Sequence, residues 1–580
     1  MGEYKKIQGL KYLWRIKETE KSSVKEIAAR HNLSLPVAHT LYSRGFSSKE
    51  EINSFLFTSK EDIAHPTLLK DAEIAVERIL CAIEDKEKIL IFGDYDVDGV
   101  TSTSLLLIAL LPLGANINYY LPNREKEGYG LSVNVVEKAA KHNYSLLITV
   151  DNGIAAHKPA ERARALGLDL IITDHHRPHN DLPKALAIID PNQDDCSYPY
   201  KKLAGVGVAF KIISLLYERL EKELPDKVYE LLMLGTVADV VPLTQENRFW
   251  VRHGLSKVNK QKSVAMSVLA SNSNLVKKTW GSLDIGFMIA PQINALGRLT
   301  DPREAVKFLI SSKKNDVERV GRILKEMNDE RKRVERRIYD EIDSVIVNKG
   351  IDLDKENVII AASSTWPAGV IGLVAGRLMN NYGKPAFLFH ELKNGMLRGS
   401  CRSIPEFDVF DALQENKDLL TSFGGHSFAA GLCLKKDNMR ELKGRLEAKI
   451  SKEIAPEVLQ PRIEMDAACN LSDMTSKFMH DLQQLEPFGN SNRQPTFLFE
   501  GVTLINKPTI LKEKHVKCSV FADGVVKPVI FFNRPDLFAF FNSIEDKPFY
   551  VVGHVTKNEW NDQVRIEMQG LDVAAFDFYS

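Results

Sequence analysis

The possible folds of this chain are limited above all by the heptapeptide Gly-Asp-Tyr-Asp-Val-Asp-Gly at residues 93–99, which directly follows the apolar run 88–92. The apolar run predicts a buried strand, and glycine frees the backbone to turn after it. Asp94, Asp96 and Asp98 bring three negative charges into this short stretch. Like charges repel unless a cation lies among them, so the spacing predicts a cation site.

The same order of apolar run and acid recurs along the chain. Residues 145–150 lead to Asp151, residues 170–173 lead to Asp174-His175-His176, and residues 236–238 lead to Asp239. Taken singly, such an acid can be a turn or helix N-cap residue, and Asp190 is interpreted in that way. Ligands of open parallel sheets bind beyond the carboxyl ends of the strands. Together these acids therefore predict one metal-bearing cleft.

Element patterns divide the chain into five regions. Residues 1–75 have the pattern of short helices, with helix starts at Ser22-Ser23 and Ser47-Ser48. Strand and helix patterns alternate over 76–312, which predicts a doubly wound parallel sheet. A long charged helix over 313–350 links this region to a second α/β domain at 351–453. Five short β runs within 454–580 predict a small barrel of the oligonucleotide-binding type.

Composition narrows the possible partners and compartment. The 580 residues contain 77 Lys and Arg and 77 Asp and Glu, so the formal net charge is zero. A neutral chain is compatible with a local basic groove beside an acidic cleft, although a protein that coats DNA is usually basic. The six cysteines are scattered, and we see neither a secretory leader nor an apolar run long enough to span a bilayer. We therefore expect a reduced, cytoplasmic protein with no membrane association.

Several motifs make the chain similar to a known superfamily. They include Asp-His-His (174–176), Ala-Gly-Val-Gly-Val-Ala-Phe-Lys (204–211), Asn-Ala-Leu-Gly-Arg (294–298), Gly-Gly-His-Ser-Phe-Ala-Ala-Gly (424–431) and Glu-Pro-Phe-Gly (486–489). With them the chain resembles the DHH phosphoesterase superfamily, and within it the single-strand-specific exonucleases. The resemblance implies a DHH domain, a DHH-associated domain and an oligonucleotide-binding barrel. One residue departs from the pattern, since Pro367 stands after Trp366 where the family usually has histidine.

The resemblance also implies a ligand set for two divalent ions, Mn²⁺ or Mg²⁺. The implied ligands are Asp96, Asp98, Asp151, His175 and Asp239, with Asp151 bridging the two ions. Asp94 is a further ligand, a residue that orients one, or a loop residue. A mixed Asp and His set favours Mn²⁺ over a site made only of oxygens. Asp174 is expected to orient its neighbours.

Other residues are expected to contact the substrate. We assign His176 to the substrate phosphate, and Arg124 and Arg298 to phosphate contacts, with a surface salt bridge as the alternative for Arg124. Gly424, Gly425 and His426 predict an anion-binding nest or, alternatively, a tight structural turn. Arg398 and Arg402 could line the same face with Trp366, for which a core position is an equal alternative. Aromatic and basic residues also lie close together in the β region: Phe497, Phe499, Phe531, Phe532, Tyr550 and Trp560, with Lys512, Lys514, Lys517, Arg534 and Lys557. We expect most of these aromatics to fill the barrel core and a few to remain on the surface, where bases stack on them beside basic side chains that contact phosphates.

These residues predict metal-assisted phosphoester hydrolysis, with Asp96, Asp98 and His176 as the catalytic residues. The resemblance implies 5′→3′ exonuclease action on single-stranded DNA, releasing mononucleotides in DNA repair and recombination. It also suggests a single-strand-binding protein and a helicase as partners. The alternatives are a relative that cleaves short oligoribonucleotides or phosphoadenosine phosphate, and a non-catalytic scaffold that binds single strands. A pyrophosphatase is disfavoured by the barrel.

Overall fold

The computed structural model describes residues 4–123, 127–128, 130–178, 181–299, 301–348, 355–544, 547–560 and 563–575; the side chains of 298–299, 347, 559–560 and 563–564 lie outside that description. The chain divides into two units. Unit 1 contains residues 1–48, 330–483 and 495–580, and unit 2 contains residues 49–329 and 484–494. Among the described residues, we find no helix that is both long and apolar enough to cross a membrane.

The N-terminal region begins with a hairpin, which the prediction of helices alone over 1–75 missed. Its elements are β1 (Tyr4–Gln8), β2 (Leu13–Lys17), α1 (Lys21–His31), α2 (Leu35–Ser43) and α3 (Lys49–Phe57). β2 also pairs in parallel with residues 462–465, far along the chain. Trp14 is completely buried and Ile16 nearly so, so these short strands are stabilised by distant residues that a local pattern cannot reveal.

The strand and helix alternation predicted for 76–312 is present. The elements are α4 (Ala72–Glu84), β3 (Lys88–Gly93), α5 (Val97–Leu110), β4 (Asn116–Tyr120), α6 (Val133–Lys141), β5 (Leu146–Val150), α7 (His157–Ala165), β6 (Asp169–Thr173), β7 (Ala187–Ile189), α8 (Gly205–Arg219) and α9 (Lys227–Ala238). The strand order is β4-β3-β5-β6-β7, and every pairing is parallel. Ile89 and Ile91 point into one apolar core, and Leu90 and Phe92 into another. Both faces are covered, which confirms the doubly wound sheet.

Helices follow the sheet and lead to the second domain. They are α10 (Gln245–Lys260), α11 (Val264–Asn272), α12 (Ser282–Asp284), a π-helical turn (Ile285–Ile289), α13 (Ala290–Leu299), α14 (Arg303–Ile310) and α15 (Lys314–Asn348). α15 is the predicted charged helix and has 35 residues. Charged side chains cover its outer face, while Val334, Ile338 and Ile342 enter a core of unit 1.

The second α/β domain lies within unit 1. Its elements are β8 (Ile359–Ser363), α16 (Ala368–Tyr382), β9 (Ala386–Glu391), β10 (Met396–Arg402), α17 (Val409–Glu415), β11 (Leu420–His426), β12 (Ala429–Lys435) and α18 (Met439–Glu453). The strand order is β11-β12-β10-β9-β8, with β8 parallel to β9 and the other pairings antiparallel. Phe387 and Phe389 fill the core beneath this sheet.

The C-terminal region is mainly β, as predicted. Its elements are β13 (Arg462–Met465), β14 (Ala467–Ala468), α19 (Ser476–Gln484), β15 (Phe497–Leu504), β16 (Thr509–Leu511), β17 (His515–Ala522), β18 (Val525–Phe531), α20 (Leu537–Ser543), β19 (Phe549–Trp560) and β20 (Gln563–Ala575). The sheet order is β14-β15-β19-β20-β18-β17-β16. β15 also pairs with β17 at Thr503 and Leu504, so the sheet curls as in an oligonucleotide-binding domain.

Candidate metal centre

The first acidic loop connects β3 to α5. Asp96 is the N-cap of α5, and its Oδ1 accepts a hydrogen bond of 3.1 Å from the Gly99 backbone N–H. A Cβ on Gly99 would lie 2.5 Å from the backbone of Asp94, so the loop can close this tightly only around glycine. The motif therefore fixes Asp94, Asp96 and Asp98 at one strand end.

Asp98 is held by the start of α8. Its side chain is almost completely buried, and it accepts hydrogen bonds from the backbone N–H groups of Gly205 (2.6 Å) and Val206 (2.8 Å). A helix N-terminus carries partial positive charge and favours an anion there. A Cβ on Gly205 would also lie 2.7 Å from Cβ of Asp151. The Ala-Gly-Val-Gly motif thus supports the acids, a role that we did not assign from the sequence.

Asp151, His175 and Asp239 complete the cluster. Nε2 of His175 lies 3.1 Å from Asp151 Oδ1, 3.7 Å from Asp239 Oδ2 and 3.9 Å from Asp98 Oδ2. The backbone of Asp151 is left-handed, with φ +61°, directly after β5. The prediction of a strand before Asp239 was wrong. Residues 236–238 end α9, and a short apolar run is equally compatible with a buried helix.

The potential ligand atoms form three overlapping groups, each within 4.8 Å: Asp94, Asp96 and Asp151; Asp98, His175 and Asp239; Asp151, His175 and His176. Asp151 belongs to two of them. Burial and then the charge of Asp96 raise the pKa of Asp98 to about 7. Burial and neighbouring carboxylates also raise the pKa values of Asp151 and Asp239 well above their ordinary value. Repulsion between close carboxylates therefore contributes to the raised pKa values across the cluster.

This donor set fits divalent cations. Among the described residues, Asp239 Oδ2 is buried and has no hydrogen-bond partner. Carboxylate oxygens and one imidazole are ligands that Mn²⁺ accepts, while Mg²⁺ prefers the oxygens. Positive charge among these groups would favour their ionised forms.

Asp174 and His176 form a separate pair beside the cluster. Asp174 Oδ1 lies 2.7 Å from His176 Nδ1 and accepts the backbone N–H of His175 at 2.8 Å, while Oδ2 accepts that of Ile154 at 2.9 Å. Burial alone would lower the pKa of His176, but the hydrogen bond and charge of Asp174 raise it to about 9. Asp174 therefore orients both histidines and favours the protonated form of His176. Asp190 forms a turn, with Oδ1 accepting from the Asn192 N–H at 2.7 Å.

The proposed phosphate contacts of unit 2 are not all visible. Arg124 lies outside the described residues, and so does the side chain of Arg298. Two neighbours of Arg298 support the acidic loop instead. Asn294 Oδ1 accepts the Val97 N–H at 3.2 Å, and a Cβ on Gly297 would lie 2.3 Å from the carbonyl of Tyr95. Sequence reasoning assigned no role to these two residues.

The second domain arranges its predicted residues differently from expectation. Gly424, Gly425 and His426 lie on β11, an edge strand paired with β12, and form neither of the two predicted conformations, the nest and the tight turn. Their contact with an anion stays a prediction. Alternate residues of a strand share a face, so Arg398 and Arg402 lie on the same face of β10. Trp366 has the core position, and its Nε1 donates to Glu341 at 2.7 Å.

Most of the aromatic residues singled out in the β region fill its core, as expected: Phe497, Phe499, Phe531 and Tyr550. The side chain of Trp560 lies outside the described residues. Phe532 is 46% exposed and lies edge-on to His515, with ring centroids 5.3 Å apart. Arg534 is buried and bonded to Asp536 (2.7 Å) and Asp572 (3.0 Å), so it is not a surface phosphate contact.

Comparison with known proteins now defines the class. The N-terminal domain of the DHH family matches residues 88–236, the DHHA1 domain matches 355–452, and the RecJ OB domain matches 465–572. One chain therefore contains three domains: the parallel-sheet domain with the acidic cluster, the associated α/β domain and the β domain.

Individual relatives are similar over most of that length. The single-stranded-DNA-specific exonuclease RecJ of Bacillus subtilis is 35% identical over 98% of this chain and 71% of its own length. That of Escherichia coli is 33% identical over 84% and 86%, respectively. The crystal structure of RecJ from Thermus thermophilus in complex with Mn²⁺ superposes with a TM-score of 0.80 at 26% identity, covering 97% of this chain and 79% of that one. The chain belongs to the RecJ family.

Proposed function

We propose that this protein is a metal-dependent 5′→3′ exonuclease that hydrolyses single-stranded DNA to mononucleotides in DNA repair and recombination. The observation that carries the proposal is the convergence of Asp94, Asp96, Asp98, Asp151, His175 and Asp239 at one sheet edge. Its setting in a chain of the RecJ family supports the choice of substrate.

The ligands are assigned by proximity. Asp98, His175 and Asp239 would hold one Mn²⁺ or Mg²⁺, Asp94 and Asp96 would hold a second, and Asp151 would bridge the two. When bound, such a pair activates a water molecule and stabilises the attacking and leaving oxygens of phosphoryl transfer.

The protein's own residues orient the substrate. His176, charged through its contact with Asp174, is suited to donate a hydrogen bond to a phosphate oxygen. Arg124 and Arg298 remain proposed contacts for the 5′ end. Arg398, Arg402, Gly424, Gly425 and His426 remain proposed contacts for the strand, with the two glycines now acting through an extended edge. We also propose a cytoplasmic location and a single-strand-binding protein and a helicase as partners.

An end-labelling assay tests the function. Single-stranded oligonucleotides labelled at the 5′ or the 3′ end are incubated with and without Mn²⁺. We expect a 5′ label to appear at once as mononucleotide, and a 3′ label to shorten progressively. Duplex DNA, short oligoribonucleotides and phosphoadenosine phosphate form the comparison set. Preferential cleavage of the last two would favour the small-substrate alternative, and binding without any cleavage would favour the scaffold.

A further inference from the structure

Residues 484–494, which contain the Glu-Pro-Phe-Gly motif, belong to unit 2 although α19 and β15 on either side belong mainly to unit 1. Arg248, completely buried, anchors the beginning of this segment. Its Nη1 donates to the carbonyl of Leu485 and its Nη2 to that of Gln484, both at 2.8 Å. Ser282 Oγ donates to the carbonyl of Phe488 at 2.6 Å. The segment is thus firmly fixed to the unit that contains the acidic cluster.

The far end of the segment contacts the residues that follow Asp239. Asn490 Nδ2 donates to the carbonyl of Val240 at 2.6 Å, and the carbonyl of Asn490 accepts the Leu243 N–H at 2.9 Å. A Cβ on Gly489 would lie 2.6 Å from Leu243 Cδ1, so glycine permits this close approach. Asn490 therefore bonds to both ends of the turn from Val240 to Leu243.

Val240 needs such support. It has φ +60°, a backbone conformation that a β-branched residue rarely adopts, and its side chain is 63% exposed, so packing contributes little to hold it. Residues in strained conformations persist where their surroundings impose them. On the other side, the Asp239 N–H bonds to the Gly235 carbonyl at 2.9 Å as part of the helix end. The backbone of Asp239 is thus held upstream by α9, and downstream through Asn490.

We propose that Asn490 is a positioning residue for the metal centre: by fixing the strained Val240 it aims the Asp239 carboxylate at the ion shared with Asp98 and His175. This inference rests on the proposed function, since it takes Asp239 as a ligand. It also gives the Glu-Pro-Phe-Gly segment a purpose, because the Arg248 anchor brings Asn490 to the turn after Asp239. Groups that orient a ligand commonly change metal affinity tenfold or more when they are removed.

The test measures Mn²⁺ binding to the full chain without nucleic acid, by calorimetry and by the electron paramagnetic resonance spectrum of the bound ion. We expect Asn490→Ala to weaken Mn²⁺ affinity about tenfold and to alter the spectrum, with an unchanged metal-free melting temperature. Asn438→Ala is the matched control, because Asn438 Nδ2 also donates to one backbone carbonyl, that of Leu419 at 2.9 Å. It should bind Mn²⁺ as the wild type does.

A second substitution separates positioning from mere structural support. Glycine adopts positive φ without strain, so adding Val240→Gly to Asn490→Ala should restore most of the lost affinity. Wild-type affinity in Asn490→Ala would overturn the proposal, and so would a lowered metal-free melting temperature with no rescue. Asp239→Ala separates the ligand role of Asp239 from the positioning role of Asn490. If Asp239→Ala binds Mn²⁺ normally, the ligand assignment of the proposed function fails. If it does not and Asn490→Ala does, only the positioning role fails.

Discussion

The acidic sheet edge of unit 2 and the core beside β20 in unit 1 both bury carboxylates, but they compensate them differently. At the sheet edge, Asp98 and Asp151 face further carboxylates, and among the described residues Nε2 of His175 lies 3.1 Å from Asp151 Oδ1. Beside β20, the completely buried Asp572 accepts from Arg534 Nη2 at 3.0 Å and from Trp14 Nε1 at 3.1 Å. It also accepts the backbone N–H groups of Lys11 and Tyr12.

This difference distinguishes a site from a structural ion pair. A buried charge that the chain neutralises with its own partners stabilises the fold and needs nothing from outside. Several carboxylates buried close together repel one another, which is costly, and such a cluster is suited to take up a cation. Burial of an acid is therefore a weak indicator of function until its compensation is known.

The largest expected effect comes from Asp96→Asn. Asparagine retains the N-cap bond to Gly99, so the fold should survive, and one negative charge beside Asp98 disappears. Losing metal-mediated stabilisation should reduce turnover about a thousandfold or more. Turnover on a single-stranded oligonucleotide at saturating Mn²⁺ measures this, and melting in EDTA serves as the control. Near-normal turnover would remove Asp96 from the site.

Asp572→Ala should lower the stability of the fold and leave the acidic cluster unaltered. It leaves the buried Arg534 with less compensation and removes the acceptor of Trp14, which should destabilise unit 1 by about 3–5 kcal/mol. Urea unfolding of the full chain, followed by tryptophan fluorescence, measures the loss. Asp536→Ala removes the more exposed partner of Arg534 and should cost much less. Equal effects of the two substitutions would contradict the view that burial decides the difference.

The contrast also shows how far the sequence could be interpreted. The strands Lys88–Gly93 and Asp169–Thr173 exceed the predicted apolar runs 88–92 and 170–173 by only one residue each, because each is a short apolar run closed by a polar turn. The acids after them follow from the rule that parallel strands end at one edge. Asp239 lies in the same site but at the end of a helix, which its local pattern could not distinguish from a strand.

What the sequence could not supply were pairings between distant residues. The hairpin of β1 and β2 depends on β13, more than 440 residues away. Arg534 was grouped with surface lysines because nothing near it in the sequence announces Asp572 as its partner. The glycines at 424 and 425 indicate backbone freedom, which a nest and a close strand pairing require equally. The first two of these errors concern residues whose partners lie far along the chain, while the glycines pair with the neighbouring strand β12.

Stabilisation by Mn²⁺ should depend on the acidic cluster and be independent of Asp572. Mn²⁺ at about a hundred times its dissociation constant should stabilise the wild type by about 2.7 kcal/mol, because the ion binds the folded site. Asp572→Asn should melt lower but retain this Mn²⁺-dependent increase, and Asp96→Asn, which removes a ligand of one of the two proposed ions, should lose part of it. Melting curves with Mn²⁺ and with EDTA give the difference for each variant. A normal increase in Asp96→Asn would show that Asp96 does not hold the second ion.

Removing the C-terminal region as a block would not reveal how the β domain binds DNA. A chain ending near residue 455 would lack residues 484–494, leaving Arg248 without two carbonyl partners, and would lack β13, which pairs with β2. Buried donors without acceptors are costly, so such a chain would lose stability for reasons unrelated to DNA. Single surface substitutions avoid this difficulty.

The smallest effect is expected from Phe532→Ala. Phe532 is half-exposed beside His515, and the exposed residues Lys512 and Lys514 lie in the turn that precedes His515. A base can stack on such a ring while the lysines contact phosphates, so its loss should weaken binding of long single strands by about 1–3 kcal/mol. Turnover on very short oligonucleotides should stay unchanged, because the acidic cluster of unit 2 is unaltered.

Phe521→Ala is the matched control, since Phe521 is 41% exposed but lies at the other end of β17 from the turn that contains Lys512 and Lys514. Fluorescence anisotropy with a long labelled strand at several salt concentrations compares the two variants. Lys514→Ala should reduce the salt dependence of DNA affinity by about one phosphate contact. Phe532→Ala should leave that dependence nearly unchanged, because it removes mainly a stacking contact. If Phe521→Ala weakens binding as much as Phe532→Ala, exposed aromatic area alone matters, and the basic turn does not define the DNA path.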